Sequence, residues 1–359
     1  MRRAWRWTWR IGLGLIAAVI LYCLIPIGPT VERMRPGPDT AFWDLATGHR
    51  IAYRRIPAAP GVAPRAPVVV LHGGPGGYVH SSLRAALAPL AAWGHELYFY
   101  EQVGSGLSER LPRPKDYSFL GHVADLDAIL RDQIAAPRVV LVGHSYGGML
   151  AAQYVALHPE RVERIVLSSP GALEPARFDE EGRWLNETEY PVPPELRFVE
   201  VDRVAMDGLR FWPPRALASI AVATLFDRKL MGDAEADGVL DTLASRFTVN
   251  GVCDPANVRP EEGGAGFYAH GGGNWFGDLE DPRPLLAQRE LPVLVLQGQC
   301  DYIPYAATYE YVDLFPNARY VFVEGAGHLI WWDQPERYLA EIAGFLAEAP
   351  PERAEPAPQ

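Results

Sequence analysis

Ser145, at the centre of Gly143-His144-Ser145-Tyr146-Gly147, is the residue of this chain best placed to start a reaction. The pentad fits G-x-S-x-G; the β-branched run RVVLV precedes it and the alanine-rich MLAAQYVAL follows. Strand, tight turn and helix in that order form a nucleophile elbow. It lifts the serine oxygen above the end of a sheet, beside helix N–H groups that favour negative charge. A serine hydroxyl reacts only when a base takes its proton, and the base needs a carboxylate to hold it. Around such an elbow they follow in the order serine, acid, histidine. LPVLVLQGQCDYIPY sets Asp301 just past one strand pattern, and YVFVEGAGHLIWWDQPE sets His328 just past the next. Taken singly, Asp301 also reads as a helix N-cap and His328 as a surface histidine. Their joint agreement in order and position predicts the triad Ser145, Asp301 and His328. Asp278 and Asp281 are weaker rivals for the acid, because no strand pattern immediately precedes them.

Acyl transfer also needs N–H donors aimed at the oxyanion of a tetrahedral intermediate. APVVVLHGGPGGYVH, residues 66–80, ends an apolar run in a glycine-rich loop that resembles a phosphate cradle at first sight. No G-K-[ST] follows it, the third glycine of G-x-G-x-x-G falls on Val79, and Pro75 has no N–H to donate. The loop suits an oxyanion hole instead, with the N–H groups of Gly74 and Tyr146 as its predicted donors.

Short apolar runs must carry these residues. Candidate strands are Val68–Leu71, Leu97–Tyr100, Val139–Val142, Ile165–Leu167, Val293–Leu296 and Tyr320–Val323. Helical stretches lie between them at Ser81–Ala92, Phe119–Gln133, Gly147–Leu157 and Ala306–Leu314. This alternation predicts an α/β fold whose mostly parallel sheet is flanked by helices. From 172 to 288 the rhythm breaks, and Pro, Trp and Gly cluster in a stretch of mainly helical character. It reads as a cap inserted over the carboxyl ends of the strands, where open α/β sheets carry their sites. The expected division is therefore a head and anchor (1–28), a proline-rich linker (29–40), core (41–171), cap (172–288), core again (289–347) and a disordered tail (348–359).

With 359 residues and a net charge of −11, the chain is long enough for a large core and too acidic for nucleic acid. Lysine occurs only at Lys115 and Lys229, and that arginine bias with abundant Ala, Gly and Pro points to a GC-rich, bacterial source. Cys253 and Cys300 read equally well as a disulfide or as two buried thiols, and no cysteine cluster suggests a metal. At the N-terminus Arg2, Arg3, Arg6 and Arg10 alternate with tryptophans before an uncharged run from Ile11 to Ile27. That run spans roughly 25 Å against a hydrocarbon core of about 30 Å. It is expected to be an uncleaved single-pass transmembrane helix, with a cleaved signal peptide as the competing reading. The positive-inside rule would leave the N-terminus cytoplasmic and the catalytic domain extracytoplasmic.

HGGPGG, YEQVGSGLS, GHSYGG, QGQCD and GAGH, in this order, resemble the α/β-hydrolase superfamily. HGGPG in particular is similar to the proline iminopeptidase (prolyl aminopeptidase) branch, and the likeness covers most of 41–347. It implies the α/β-hydrolase fold, a helical cap, no cofactor, and removal of N-terminal residues, preferentially proline, from peptides. It also implies the same triad, with Gly74 and Tyr146 as the oxyanion hole. The chain departs from the branch where Glu101-Gln102-Val103-Gly104 replaces D-Q-R-G and where His144 and Tyr146 flank the serine in place of glycine and tryptophan. Carboxylic ester or lactone hydrolysis is the alternative, and a non-catalytic binding protein is the alternative from another class. An aminopeptidase needs a carboxylate for the free ammonium; the cap offers Glu187, Glu189, Glu195, Glu200, Glu261 and Glu262. Trp184, Phe211, Trp212, Trp275 and Phe276 would line an apolar pocket or pack the cap on the core. No substrate-binding residue is singled out, and the oligomeric state is left open.

Overall fold

The computed structural model describes residues 34–199, 212–261, 263–273 and 279–348, with Gly14, Ala17, Ala18 and residues 21–25. Its sheet has eight strands: β1 (Thr40–Asp44), β2 (Arg50–Ile56), β3 (Val68–Leu71), β4 (Leu97–Tyr100), β5 (Val139–His144), β6 (Val162–Ser168), β7 (Val293–Cys300) and β8 (Ala318–Gly327). They lie in the order β1-β2-β4-β3-β5-β6-β7-β8. The pairs β1–β2 and β2–β4 are antiparallel, and the rest are parallel. The named helices are α1 (Ser81–Leu87), α2 (Phe119–Ala128), α3 (Tyr146–Leu157), α4 (Pro214–Phe226), α5 (Asp233–Phe247), α6 (Tyr305–Leu314) and α7 (Pro335–Ala347).

Strands β3, β4 and β5 are buried along their whole length, as strands covered on both faces must be. Their alternating side chains divide the core. Val69, Leu71 and Leu141 join Leu150 and Tyr154 of α3 on one face, while Val68, Val70 and Val140 join Leu83, Leu87 and Ile342 on the other. All six expected strands are present. The antiparallel edge pair β1–β2 is additional, and its mixed exposure explains the weak apolar signal. The stretch expected to be helical over 81–92 is α-helical only to Leu87, then tightens into 3-10 turns at Ala88–Trp93 around Pro89. Likewise α2 widens into a π-helical turn at Ile129–Ile134. The insertion between β6 and β7 contributes α4, α5 and the short turns Leu185–Glu189 and Phe267–Gly271.

The expected N-terminal transmembrane helix is not supported. Among the described residues, no helix is long and apolar enough to cross a membrane. The uncharged run carries a proline at position 26, and the described helical turn closes at Ile25, whose N–H donates to Leu21 O. The Arg215 guanidinium of α4 donates to Cys23 O at that end, a polar contact unsuited to a lipid-filled surround. The single-pass localisation that rested on this helix falls with it.

Candidate active site

Strand β5 delivers Ser145 into a turn with φ 53° and ψ −119°, a left-handed conformation that a non-glycine residue rarely adopts. The turn closes because its neighbours are small. A Cβ on Gly143 would lie 2.3 Å from Gly147 O, and one on Gly147 would lie 2.1 Å from Leu71 O. The serine N–H donates to Ser168 O at 2.9 Å, tying the elbow to β6, and α3 begins at Tyr146. Tyr146 is buried, with its hydroxyl 3.0 Å from His122 Nδ1.

The other two predicted residues meet as expected from their strand ends. His328 Nδ1 lies 2.8 Å from Asp301 Oδ1, and both side chains are buried. The same carboxylate oxygen accepts the Ile303 N–H at 2.9 Å, while Oδ2 has no protein partner among the described residues. Engaging Nδ1 leaves Nε2 as the free nitrogen of the imidazole. Tyr302 and His144 flank the ring, with centroids at 4.2 and 4.6 Å. His144 is neutral: burial, and then its neighbour His328, hold its pKa well below the usual histidine range. Ser145 and His328 line one cavity of about 230 Å³, together with Gly74, His270 and α5 residues Leu240 and Phe247. The insertion thus roofs the strand ends.

The loop after β3 passes over Ser145, for a Cβ on Gly73 would lie 3.2 Å from Ser145 Cβ. His72 fixes the peptide between Gly73 and Gly74. Its Nε2 accepts the Gln102 N–H at 2.9 Å, so its proton sits on Nδ1, 2.8 Å from Gly73 O. Burial lowers the His72 pKa to about 3, which keeps this arrangement neutral. In a trans peptide the Gly74 N–H points away from that carbonyl. Beneath the loop, buried Glu101 accepts the Val79 N–H at 3.0 Å.

The weaker candidates lie elsewhere. Asp281 pairs with Arg283 at 2.9 Å, and Asp278 falls outside the described residues. Glu189 pairs with Arg177, Glu195 is exposed, and Glu261 accepts hydrogen bonds from Ser81 and Ser82. Glu187 lines a second cavity of about 330 Å³ with Tyr190, Phe198, Tyr302 and Tyr305. Trp212 packs on Phe267 at 5.7 Å, and Trp184 opens the turn Leu185–Glu189. Glu200, Glu262, Phe211, Trp275 and Phe276 lie outside the described residues. Cys253 and Cys300 are bonded, with Cα atoms 5.2 Å apart, one residue before Asp301. Sequence reasoning missed the contacts of Glu101, Glu261 and His270. Only the unusual Glu101-Gln102 pair carried a signal, as a departure from the family pattern.

A mostly parallel sheet with a serine elbow and an acid–histidine pair at adjoining strand ends defines a hydrolase architecture, and the comparisons agree. Residues 66–193 match the family model described as alpha/beta hydrolase fold. A proline iminopeptidase of Saccharolobus solfataricus is 33% identical over 289 residues, covering 78% of this chain and 84% of that protein. The chain belongs to the α/β-hydrolase family. Within it the resemblance is to the proline iminopeptidase branch, of which a second member, from Heyndrickxia coagulans, is 27% identical over 84% of this chain and 96% of its own. A solved hydrolase from Pseudomonas aeruginosa shares the fold with a TM-score of 0.57 and 21% identity, over 87% of this chain and all of that one (100%).

Proposed function

We propose that this hydrolase works through an acyl-enzyme formed on Ser145. The observation that carries the reading is the Asp301–His328 pair, whose histidine lines the same cavity as Ser145. His328 Nε2 takes the hydroxyl proton as Ser145 Oγ attacks a carbonyl carbon. Asp301 holds the ring and stabilises the imidazolium, and the N–H groups of Gly74 and Tyr146 receive the oxyanion. Collapse of the intermediate expels the leaving group, to which His328 returns the proton. A water activated by the same histidine then releases the acyl group.

The proposed substrate is a short peptide with an N-terminal proline-type residue, by analogy with the relatives named proline iminopeptidase. The cavity of about 230 Å³, with Leu83, Leu240, Phe247 and Trp331 in its wall, suits a compact apolar acyl group. Ester hydrolysis is the second reading. It is favoured by Glu261, whose carboxylate is engaged by serine donors rather than turned to a substrate ammonium.

A fluorophosphonate probe tests the nucleophile. Wild type is expected to be labelled and Ser145→Ala to stay unlabelled; an unlabelled wild type would leave a non-catalytic binding protein as the better reading. Turnover of a prolyl anilide against a short-chain aryl ester then separates the substrates, because fast ester cleavage with no anilide cleavage defeats the peptidase reading.

A further inference from the structure

The cap does more than roof the cavity, because it grips the loop that carries Gly74. His270 donates from Nδ1 to Pro75 O at 2.8 Å, and the Gly266 N–H donates to Gly76 O at 2.7 Å. The approach leaves no room for a side chain: a Cβ on Gly76 would lie 2.5 Å from Gly266 O. Gly264 O accepts the Gly106 N–H at 2.8 Å, which holds the neighbouring loop in the same way. At the far end of the oxyanion loop, Glu261 Oε2 accepts from the Ser81 N–H at 2.9 Å and the Ser81 hydroxyl at 3.0 Å. Its Oε1 accepts from the Ser82 hydroxyl at 2.5 Å. Ser82 Oγ in turn accepts from the indoles of Trp331 (3.1 Å) and Trp332 (2.8 Å), which follow His328 in the chain. The gripping stretch is itself anchored to α5, where Asp237 accepts the Phe267 N–H at 3.0 Å and Asp241 the Ala265 N–H at 2.9 Å.

We infer that Glu261 and the stretch Gly263–His270 position the oxyanion loop, so that the hole keeps its shape only while the cap is seated. His270 and Glu261 are positioning residues: they act through Pro75, Gly76, Ser81 and Ser82 and not on the reacting atoms. Lifting the cap to admit substrate would release Pro75 O and Gly76 O together, coupling access to the loss of the hole and closure to its recovery. A loop clamped at both ends also costs little reorganisation when the oxyanion forms, which is the condition under which such donors are most effective. The inference rests on the serine-hydrolase reading above.

The test compares wild type, His270→Leu, His270→Asn and Glu261→Gln in their second-order rates of fluorophosphonate labelling, whose phosphoryl oxygen must enter the hole. The same four proteins are compared in KM and kcat for an aryl ester and in thermal midpoint. His270→Leu is expected to label and turn over roughly tenfold more slowly, with the midpoint unchanged. Asparagine can present its amide N–H near the position of Nδ1, so His270→Asn should recover most of the loss. Equal labelling of wild type and His270→Leu overturns the inference, as does a loss that His270→Asn fails to recover or that follows a fallen midpoint. Should His270→Leu not fold, Glu261→Gln decides in its place: slowed labelling at unchanged KM supports the inference, and a wild-type rate overturns it. An unlabelled wild type would instead defeat the reading on which the inference rests.

Discussion

Glu101 and His72, both buried beside the backbone of the loop that carries Gly74, respond to pH in opposite senses. Burial raises the Glu101 pKa from 4.5 to about 7 and lowers that of His72 from 6.5 to about 3. Between pH 4.5 and 7 the folded protein keeps the Glu101 proton that the unfolded chain has lost. Its contribution to stability is therefore greatest below pH 4.5 and falls as pH rises towards 7, by as much as about 3 kcal/mol. His72 behaves inversely: the unfolded chain binds the proton that the folded one refuses between pH 3 and 6.5, so its contribution grows with pH over that interval. The two trends oppose each other where they overlap. Glu101→Gln keeps an acceptor for the Val79 N–H and abolishes one of them. Relative to wild type it is expected to gain on the order of 3 kcal/mol more at pH 8 than at pH 4 by urea denaturation, and a pH-independent difference would contradict the assignment. At this scale Ser145, Asp301 and His328 were legible because each follows a strand pattern, and a strand's carboxyl end fixes where the next residue emerges. Glu261 and His270 were not. Their partners, Ser82 and Pro75, lie 179 and 195 positions away, and only the folded cap brings them close.

The elbow depends on how closely β5, α3 and β3 approach. Gly147→Ala would drive a methyl group against Leu71 O, a backbone atom that cannot swing aside. It is expected to lose about 3 kcal/mol or to fail to accumulate as soluble protein. Gly344 in α7 is the matched control, since it is exposed and a Cβ there meets nothing within 4 Å. Gly344→Ala should gain about 0.5–1 kcal/mol from helix propensity alone. Denaturant midpoints of the two variants measure the contrast, and similar losses in both would refute it. The parallel strands could be read from sequence because burial on both faces demands uninterrupted apolar runs. The antiparallel strands β1 and β2 escaped notice, since RIAYRRI of β2 carries three arginines in seven residues and looks like a polar segment. Pro89 could have flagged the early end of α1, whereas the π-helical turn after α2 left no compositional trace.

Across the whole molecule, the expected α/β fold with a mostly parallel sheet held, while the transmembrane helix did not. Apolar composition over 17 residues said too little about how that segment meets α4, where Arg215 reaches Cys23 O. The link between insertion and sheet is covalent as well as packed, through Cys253 and Cys300 at a sequence separation of 47. Replacing both cysteines by alanine, or reducing the wild type, is expected to lower unfolding stability by about 2–4 kcal/mol; unchanged urea midpoints would show that the bond constrains little. The bond also closes the polypeptide into a ring. Glu261, His270, Arg283 and the whole of β7 belong to that ring. A single proteolytic cut within it therefore severs the backbone without parting the fragments, and the molecule keeps its full mass until a reductant opens the ring.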